Sequence, residues 1–278
     1  MKAELIGNTH KDGNIIMKKV TLLLWLWLAS FTMQVTASDF AKLDEAIPPN
    51  GIINGLEPVF DFDGDGCLPS AGISRTGEQN AGLKTSGRIT GDCRSGNFML
   101  TSNTLHRYAC SISGGNTYCG HFYALYFEKD QVFDWFGGGH RHDWEHAAVW
   151  TTNGVVTHGS YSAHGDLFTK AASELPFEGP HLKIVYHKDG ILTHAFRFAK
   201  TNEYAENPYG SFITPTIVSW YQVEGDGLSN QEMRNRLNSY NYGSATIPMK
   251  DSNFKNNLND YRPAGYPAFT DADIAASQ

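Results

Sequence analysis

The sequence predicts a mainly β domain, and three observations carry that prediction. Two turn dipeptides each separate a pair of apolar, β-branched runs. One of those runs alternates apolar and polar side chains with period two. The composition sets 28 Gly, 13 Tyr and 16 Phe beside only 18% charged residues, a mix that favours sheet and turn over helical repeats.

Asn153-Gly154 lies between residues 147–151 and 155–161, and Asp189-Gly190 between residues 181–187 and 191–198. Both dipeptides suit the φ > 0 positions of a type I′ turn. Leu182, Ile184 and Tyr186 alternate with Lys183, Val185 and His187, the pattern of a sheet with one face on a core. From about residue 98 onward the chain reads as strands separated by turn signals. Helix comes late. Ser229-Asn-Gln-Glu232 is a capping box followed by Met233, Leu237 and Tyr240. A second short helix is expected from Ser252-Asn253-Phe254, with Phe254, Leu258 and Tyr261 on one side. Both read as covers packed on a sheet, so residues 38–278 are expected to form a single domain.

The N-terminus predicts export. Lys18 and Lys19 precede an apolar run over residues 20–29, followed by the small residues around Val35-Thr-Ala37. That is the layout of a signal peptide over residues 1–37, in a segment too short for a comfortable membrane span. An uncleaved anchor is the competing reading, and Met17 is an alternative start. Removing residues 1–37 takes four lysines and two acids from a chain of 278 residues and charge −7, leaving 241 residues and −9. The acidic balance argues against a nucleic-acid partner and against simple polybasic attachment to anionic membranes. Cys67, Cys93, Cys110 and Cys119 are an even set in an oxidising compartment, with three pairings open. Short sequential loops favour Cys67–Cys93 and Cys110–Cys119. A zinc site is the weaker reading, because no pair has CxxC spacing.

The densest chemistry is Gly137-Gly-Gly-His140-Arg-His142-Asp143-Trp-Glu145-His146. On a helix, His142 and His146 would stand ~6 Å apart and form an inverted zinc-peptidase motif with Glu145. On a strand those histidines are ~13 Å apart, while Asp143 and Glu145 share a face at ~6.6 Å. Three glycines before the cluster and a β-branched run ending in Asn-Gly after it favour the strand. Two carboxylates with an imidazole make an oxygen-rich site that suits Ca²⁺, Mg²⁺ or Mn²⁺ better than Zn²⁺. Strict alternation puts His140 on the opposite face from Asp143, so the chain must bend at the glycines for His140 to join. The bland alternative is a solvated polar strand.

Gly139-His-Arg-His-Asp-Trp-Glu145 resembles the heptapeptide signature of the necrosis- and ethylene-inducing-peptide-like proteins (NLPs). The likeness runs through Gly66-Cys67, Gly82-Leu-Lys-Thr-Ser-Gly87, Phe127-Glu-Lys-Asp130 and Asn241-Tyr-Gly-Ser-Ala-Thr-Ile-Pro248, over roughly residues 45–262. The four cysteines resemble the family's two-disulfide subgroup. The resemblance implies a single-domain β-sandwich like that of actinoporins, with a few peripheral helices. It implies a secreted cytolysin, not an enzyme, that is monomeric in solution. Its partner would be the outer leaflet of the plant plasma membrane, through glycosylated inositol-phosphoceramide head groups. It also implies a divalent cation, Ca²⁺ or Mg²⁺, on Asp130, His140, Asp143 and Glu145. Arg141, His142 and His194 are expected to orient these groups or meet the head group. Thr193 stands where relatives often carry an acid, and residues 188–192 lack an aromatic.

Asp61-Phe-Asp63-Gly-Asp65-Gly66 resembles the first half of an EF-hand loop, but position twelve is Gly72. It is expected to be a second calcium site or an acidic turn. Two other functions compete with the cytolysin: a non-cytolytic binding or elicitor member of the family, and a secreted metal-dependent hydrolase.

Overall fold

Alternation along one long strand decides the architecture. The computed structural model describes residues 40–278, which lie within one compact unit, Thr36–Gln278; the expected signal peptide lies outside the described residues. The strands are β1 (Val59–Phe62), β2 (Asn103–Ser113), β3 (Asn116–Phe133), β4 (Gly137–Thr152), β5 (Val155–Ala163), β6 (Asp166–Ala171), β7 (Phe177–Glu178), β8 (His181–Lys188), β9 (His194–Phe198) and β10 (Thr216–Ser219). On β3, Phe122, Ala124 and Tyr126 face one core, while Tyr123, Leu125 and Phe127 face another. A strand buried on both faces needs a layer on each side.

One side is a second sheet. The larger sheet runs β10-β2-β3-β4-β5-β6. In the smaller sheet β8 pairs in parallel with β1 and antiparallel with β7 and β9. Between the sheets Phe127 stacks on Tyr186 with ring centroids 3.7 Å apart, and burial of each such ring stabilises by roughly 1.5–3 kcal/mol. The other side is covered by α1 (Asn230–Ser239) and α2 (Phe254–Tyr261), whose Met233, Leu237, Phe254 and Leu258 are buried in one cluster with Phe122 and Trp150.

The expected capping box at Ser229 and Glu232 is formed. A third helix, α3 (Asp271–Ala276), carries its own box from Thr270 and Asp273, which the sequence reading passed over. It also passed over β1. The Asn153-Gly154 turn has both residues at positive φ, 52° and 79°. At the second hairpin the two-residue turn gives way to a longer loop. Lys188 pairs with His194, so residues 189–193 form the connection and Ile191 and Leu192 leave the strand. Both disulfides follow the sequential pairing, Cys67–Cys93 and Cys110–Cys119. Among the described residues no helix is long and apolar enough to cross a membrane.

Candidate metal centre

Antiparallel register builds the site from the arms of the β3–β4 hairpin. Asp130 on β3 lies directly opposite His140 on β4. The bend that puts His140 with Asp143 involves more than the glycines: Gly137, Gly138 and Gly139 have φ of 74–80°, and His142 itself sits at φ 66°. One left-handed residue in a strand resets the alternation, so His140 and Asp143 reach one side. A bulky residue at positive φ is uncommon and marks a held conformation. Gly139 is required there, since a Cβ would come within 1.9 Å of the Asp130 carbonyl oxygen.

Asp130, His140 and Asp143 offer ligand atoms that all lie within 4.8 Å of one another. His140 Nε2 is 3.7 Å from Asp130 Oδ2, while its Nδ1–H donates to the His142 carbonyl at 2.6 Å. That bond leaves Nε2 as the lone-pair nitrogen facing the carboxylates. Glu145 borders the same pocket, where its carboxylate accepts a hydrogen bond from the Ser162 hydroxyl and stands outside the three-residue cluster. The pocket is open, with a volume of ≈ 520 Å³, and Ser244, Thr246, Asn253 and Asn257 form its far wall.

The buried carboxylates repel one another. Burial, then the charges of Glu145 and Asp130, push the Asp143 carboxyl well above its ordinary range. Burial first, and Asp130 as well, push Glu145 up to about 8 against the Ser162 bond. Carboxylates that resist ionising side by side become comfortable with a divalent ion between them. Two or three carboxylates and one imidazole fit a hard cation with positions left for other oxygens.

Each expected orienting residue has a definite place. His194 is buried, and its backbone N–H and Nδ1 both reach Asp130 Oδ1, at 2.9 and 2.7 Å. It positions Asp130 from the opposite sheet. His142 bonds the Tyr126 hydroxyl at 2.6 Å on the helix-covered side of the sheet; burial, then Arg141 and His140, lower it to about 4. Arg141 donates to the Ala81 carbonyl and ties the strand to that segment. His142 and His146 share nothing that a zinc-peptidase motif needs: His146 is half-buried and stacks on Phe122.

Asp61, Asp63 and Asp65, expected as a second calcium site or an acidic turn, do not gather as a metal-ligand cluster among the described residues. Asp61 accepts from the backbone N–H groups of Glu206 and Asn207, Asp63 pairs with Arg197, and Asp65 accepts from the Lys188 N–H. Each carboxylate is spent on a different partner. The loop serves the first site instead, because the Asp65 carbonyl meets His194 Nε2 at 3.0 Å. Two residues that sequence reasoning missed are Ser162, which binds Glu145, and Tyr186, whose hydroxyl donates to Asp143 Oδ2 at 3.0 Å. Neither carries a local signal, since each arrives from another strand.

Fold and site together define a two-sheet protein with an open acid-and-imidazole pocket whose Asp130, His140 and Asp143 could hold a metal ion. The family model described as necrosis inducing protein (NPP1) matches residues 52–261. The chain belongs to that family, whose members are necrosis-inducing toxins and effectors and are not known as enzymes. It is 31% identical to NLP effector protein 3 of Phytophthora capsici over 205 residues, covering 70% of this chain and 75% of that protein. It is 24% identical to the necrosis-inducing protein NPP1 of Phytophthora nicotianae, covering 84% and 96%. Among solved structures, NLPPya in complex with mannosamine superposes with TM-score 0.64 at 25% identity, covering 80% of this chain and 95% of that one. The non-toxic HaNLP3 shares the fold at TM-score 0.63 and 24% identity, covering 80% and 96%.

Proposed function

We propose that the protein is a secreted, cation-dependent cytolysin that binds glycosylated inositol-phosphoceramide head groups of plant plasma membranes and permeabilises eudicot cells. The observation that carries this reading is the convergence of Asp130, His140 and Asp143 at an open pocket. Ca²⁺ or Mg²⁺ held there would supply positive charge and open coordination positions for head-group oxygens. The chain's own residues do the rest. His194 and Tyr186 hold Asp130 and Asp143 in place, Ser162 holds Glu145, and the Ser244–Asn257 wall offers hydroxyl and amide groups to a sugar. The amino-sugar complex of NLPPya supports a sugar-bearing ligand.

The test is dye or electrolyte leakage from eudicot cells with Ca²⁺ or Mg²⁺ present, then with chelator. Leakage that disappears with chelator and in Asp143→Ala supports the reading; absence of leakage from several eudicot hosts sinks it. A second reading, a binding or elicitor protein without cytolysis, is favoured by the 188–192 loop with no aromatic. It predicts cation-dependent head-group binding without leakage.

A further inference from the structure

The tip of the β3–β4 hairpin carries three rings that the fold leaves in water. Phe133, Trp135 and Phe136 are 52%, 71% and 92% exposed. Beside them, in the β8–β9 loop, Ile191 and Leu192 are 80% and 51% exposed. The two groups meet: Lys188 Nζ stands 5.5 Å from the centre of the Phe133 ring and donates to the Leu192 carbonyl at 3.0 Å. Scattered apolar side chains need no explanation, but five on two touching loops make a patch.

The tip is also held rigid. The Trp135 N–H donates to the Gly87 carbonyl at 2.7 Å, and Asp134 Oδ1 accepts from the Ile89 N–H at 2.6 Å. Gln131 adds a bond to the same Gly87 carbonyl. Trp135 sits at φ 63°, a costly conformation for a bulky side chain that persists only where surroundings impose it. These restraints present the rings outward instead of letting the turn fold them back.

We infer that this aromatic tip, with Ile191 and Leu192, is a bilayer-interface anchor that seats beside the cation pocket. The inference rests on the membrane reading above and names the surface that contacts lipid. Three features choose a bilayer over a protein partner. Rings this exposed protrude, and Trp and Phe at a protruding edge suit the water–hydrocarbon boundary. Lys188 is at the patch, and exposed Lys84 and Arg88 lie just before and within the 87–89 segment that pins it, local cations for lipid phosphates on an otherwise acidic chain. The arms of the same hairpin bear Asp130 and His140, three and four residues from Phe133 and Phe136. That spacing sets pocket and tip ~10–13 Å apart along the strands, so one docking event serves both.

Trp135 is its own reporter, because Trp144, Trp150 and Trp220 are buried. The purified secreted protein is mixed with phosphatidylcholine–phosphatidylinositol vesicles, with and without glycosylated inositol-phosphoceramide, and with brominated acyl chains. The expected result is a blue shift and bromine quenching that are absent in Trp135→Phe. The Phe133→Ser/Trp135→Ser/Phe136→Ser variant should partition at least about tenfold more weakly while keeping its cation-induced rise in Tm. Equal Trp135 burial on both vesicle types supports the anchor and removes the head-group reading. Sedimentation with sphingolipid vesicles alone, with Trp135 emission unmoved and the serine variant unimpaired, overturns the anchor and leaves that reading standing. Absence of binding to any vesicle overturns the anchor, as does a concentration-dependent shift without vesicles, which would assign the patch to a second copy of the chain.

Discussion

His194 grips Asp130 twice through one oxygen, with its backbone N–H at 2.9 Å and its ring Nδ1 at 2.7 Å from Oδ1. The bond crosses from β9 in the smaller sheet to β3 in the larger one. It leaves Asp130 Oδ2 turned toward His140. The stacked ring of Tyr186, 5.2 Å away, fixes the imidazole plane.

His194→Gln should therefore weaken cation binding without removing a ligand. Loss of such an outer partner costs about 10–100-fold in affinity. Calorimetric titration with Ca²⁺ and Mg²⁺ checks it, and an unchanged affinity would end the positioning role. The His194 backbone N–H bond survives the substitution, so the loss should stay well short of that for Asp143→Ala.

The cluster also predicts a trade between binding and stability. Asp143 is buried beside Asp130 and Glu145, and such crowding destabilises the protein without an ion. Asp143→Asn should raise Tm in chelator, by about 2–4 °C for each ~1 kcal/mol relieved. On the proposed reading Ca²⁺ should raise the Tm of the native protein, and the same variant should lose that rise. Scanning calorimetry with chelator and with Ca²⁺ separates the two effects.

How much of this was legible in the chain follows from what range each feature acts over. Asn153-Gly154 and the Ser229 box are local devices, and they formed as read. Asp143 and Glu145 share a face because strand periodicity is local too. The partners of the ligands were invisible. Ser162, Tyr186 and His194 reach the site through strand register and the closing of two sheets, which no short window encodes. The turn at Asp189-Gly190 illustrates the override: the pairing of Lys188 with His194, whose ring is held by Asp130, lengthened a connection that the dipeptide alone would have made tight. The EF-hand-like run makes the same point, since its carboxylates meet Arg197 and the Glu206-Asn207 backbone, partners that lie far along the chain.

The two disulfides should not be worth the same. Cys67–Cys93 spans 26 residues and Cys110–Cys119 spans 9. Loop-closure entropy then favours the longer bridge by about 1 kcal/mol. It also anchors the 63–66 loop that packs on His194, where a Cβ at Gly66 would come within 2.7 Å of the ring. Cys67→Ala/Cys93→Ala should thus lower the urea midpoint more than Cys110→Ala/Cys119→Ala, and only the former should weaken cation binding. Equal losses would show that the 63–66 loop holds its place without the bridge.

Stability should fall on the acid side through a buried histidine pair far from the cation pocket. His106 and His121 are fully buried, with His106 Nε2 3.4 Å from His121 Nδ1 and His106 Nδ1 2.8 Å from Ser219 Oγ. Tyr108 and Tyr123 stack around them, and His121 Nε2 has no protein partner. Burial lowers His121 to about 3 and holds His106 well below its ordinary value, with the neighbouring His121 adding to the second shift. The unfolded chain takes up protons below about pH 6.5 that the folded protein refuses, so this share of stability is complete above about 6.5 and is lost as pH falls toward 3. Glu128, raised to about 7 by burial, acts in the opposite direction, its share being lost as pH rises through 7. The histidine share is therefore read as a difference. His121→Phe keeps the stacked ring but cannot take up the proton. Relative to the native protein it should gain about 1.4 kcal/mol for each pH unit below 6.5. Urea unfolding of both proteins between about pH 7.5 and pH 5 measures that gain, and parallel pH curves would show that His121 does not titrate on unfolding.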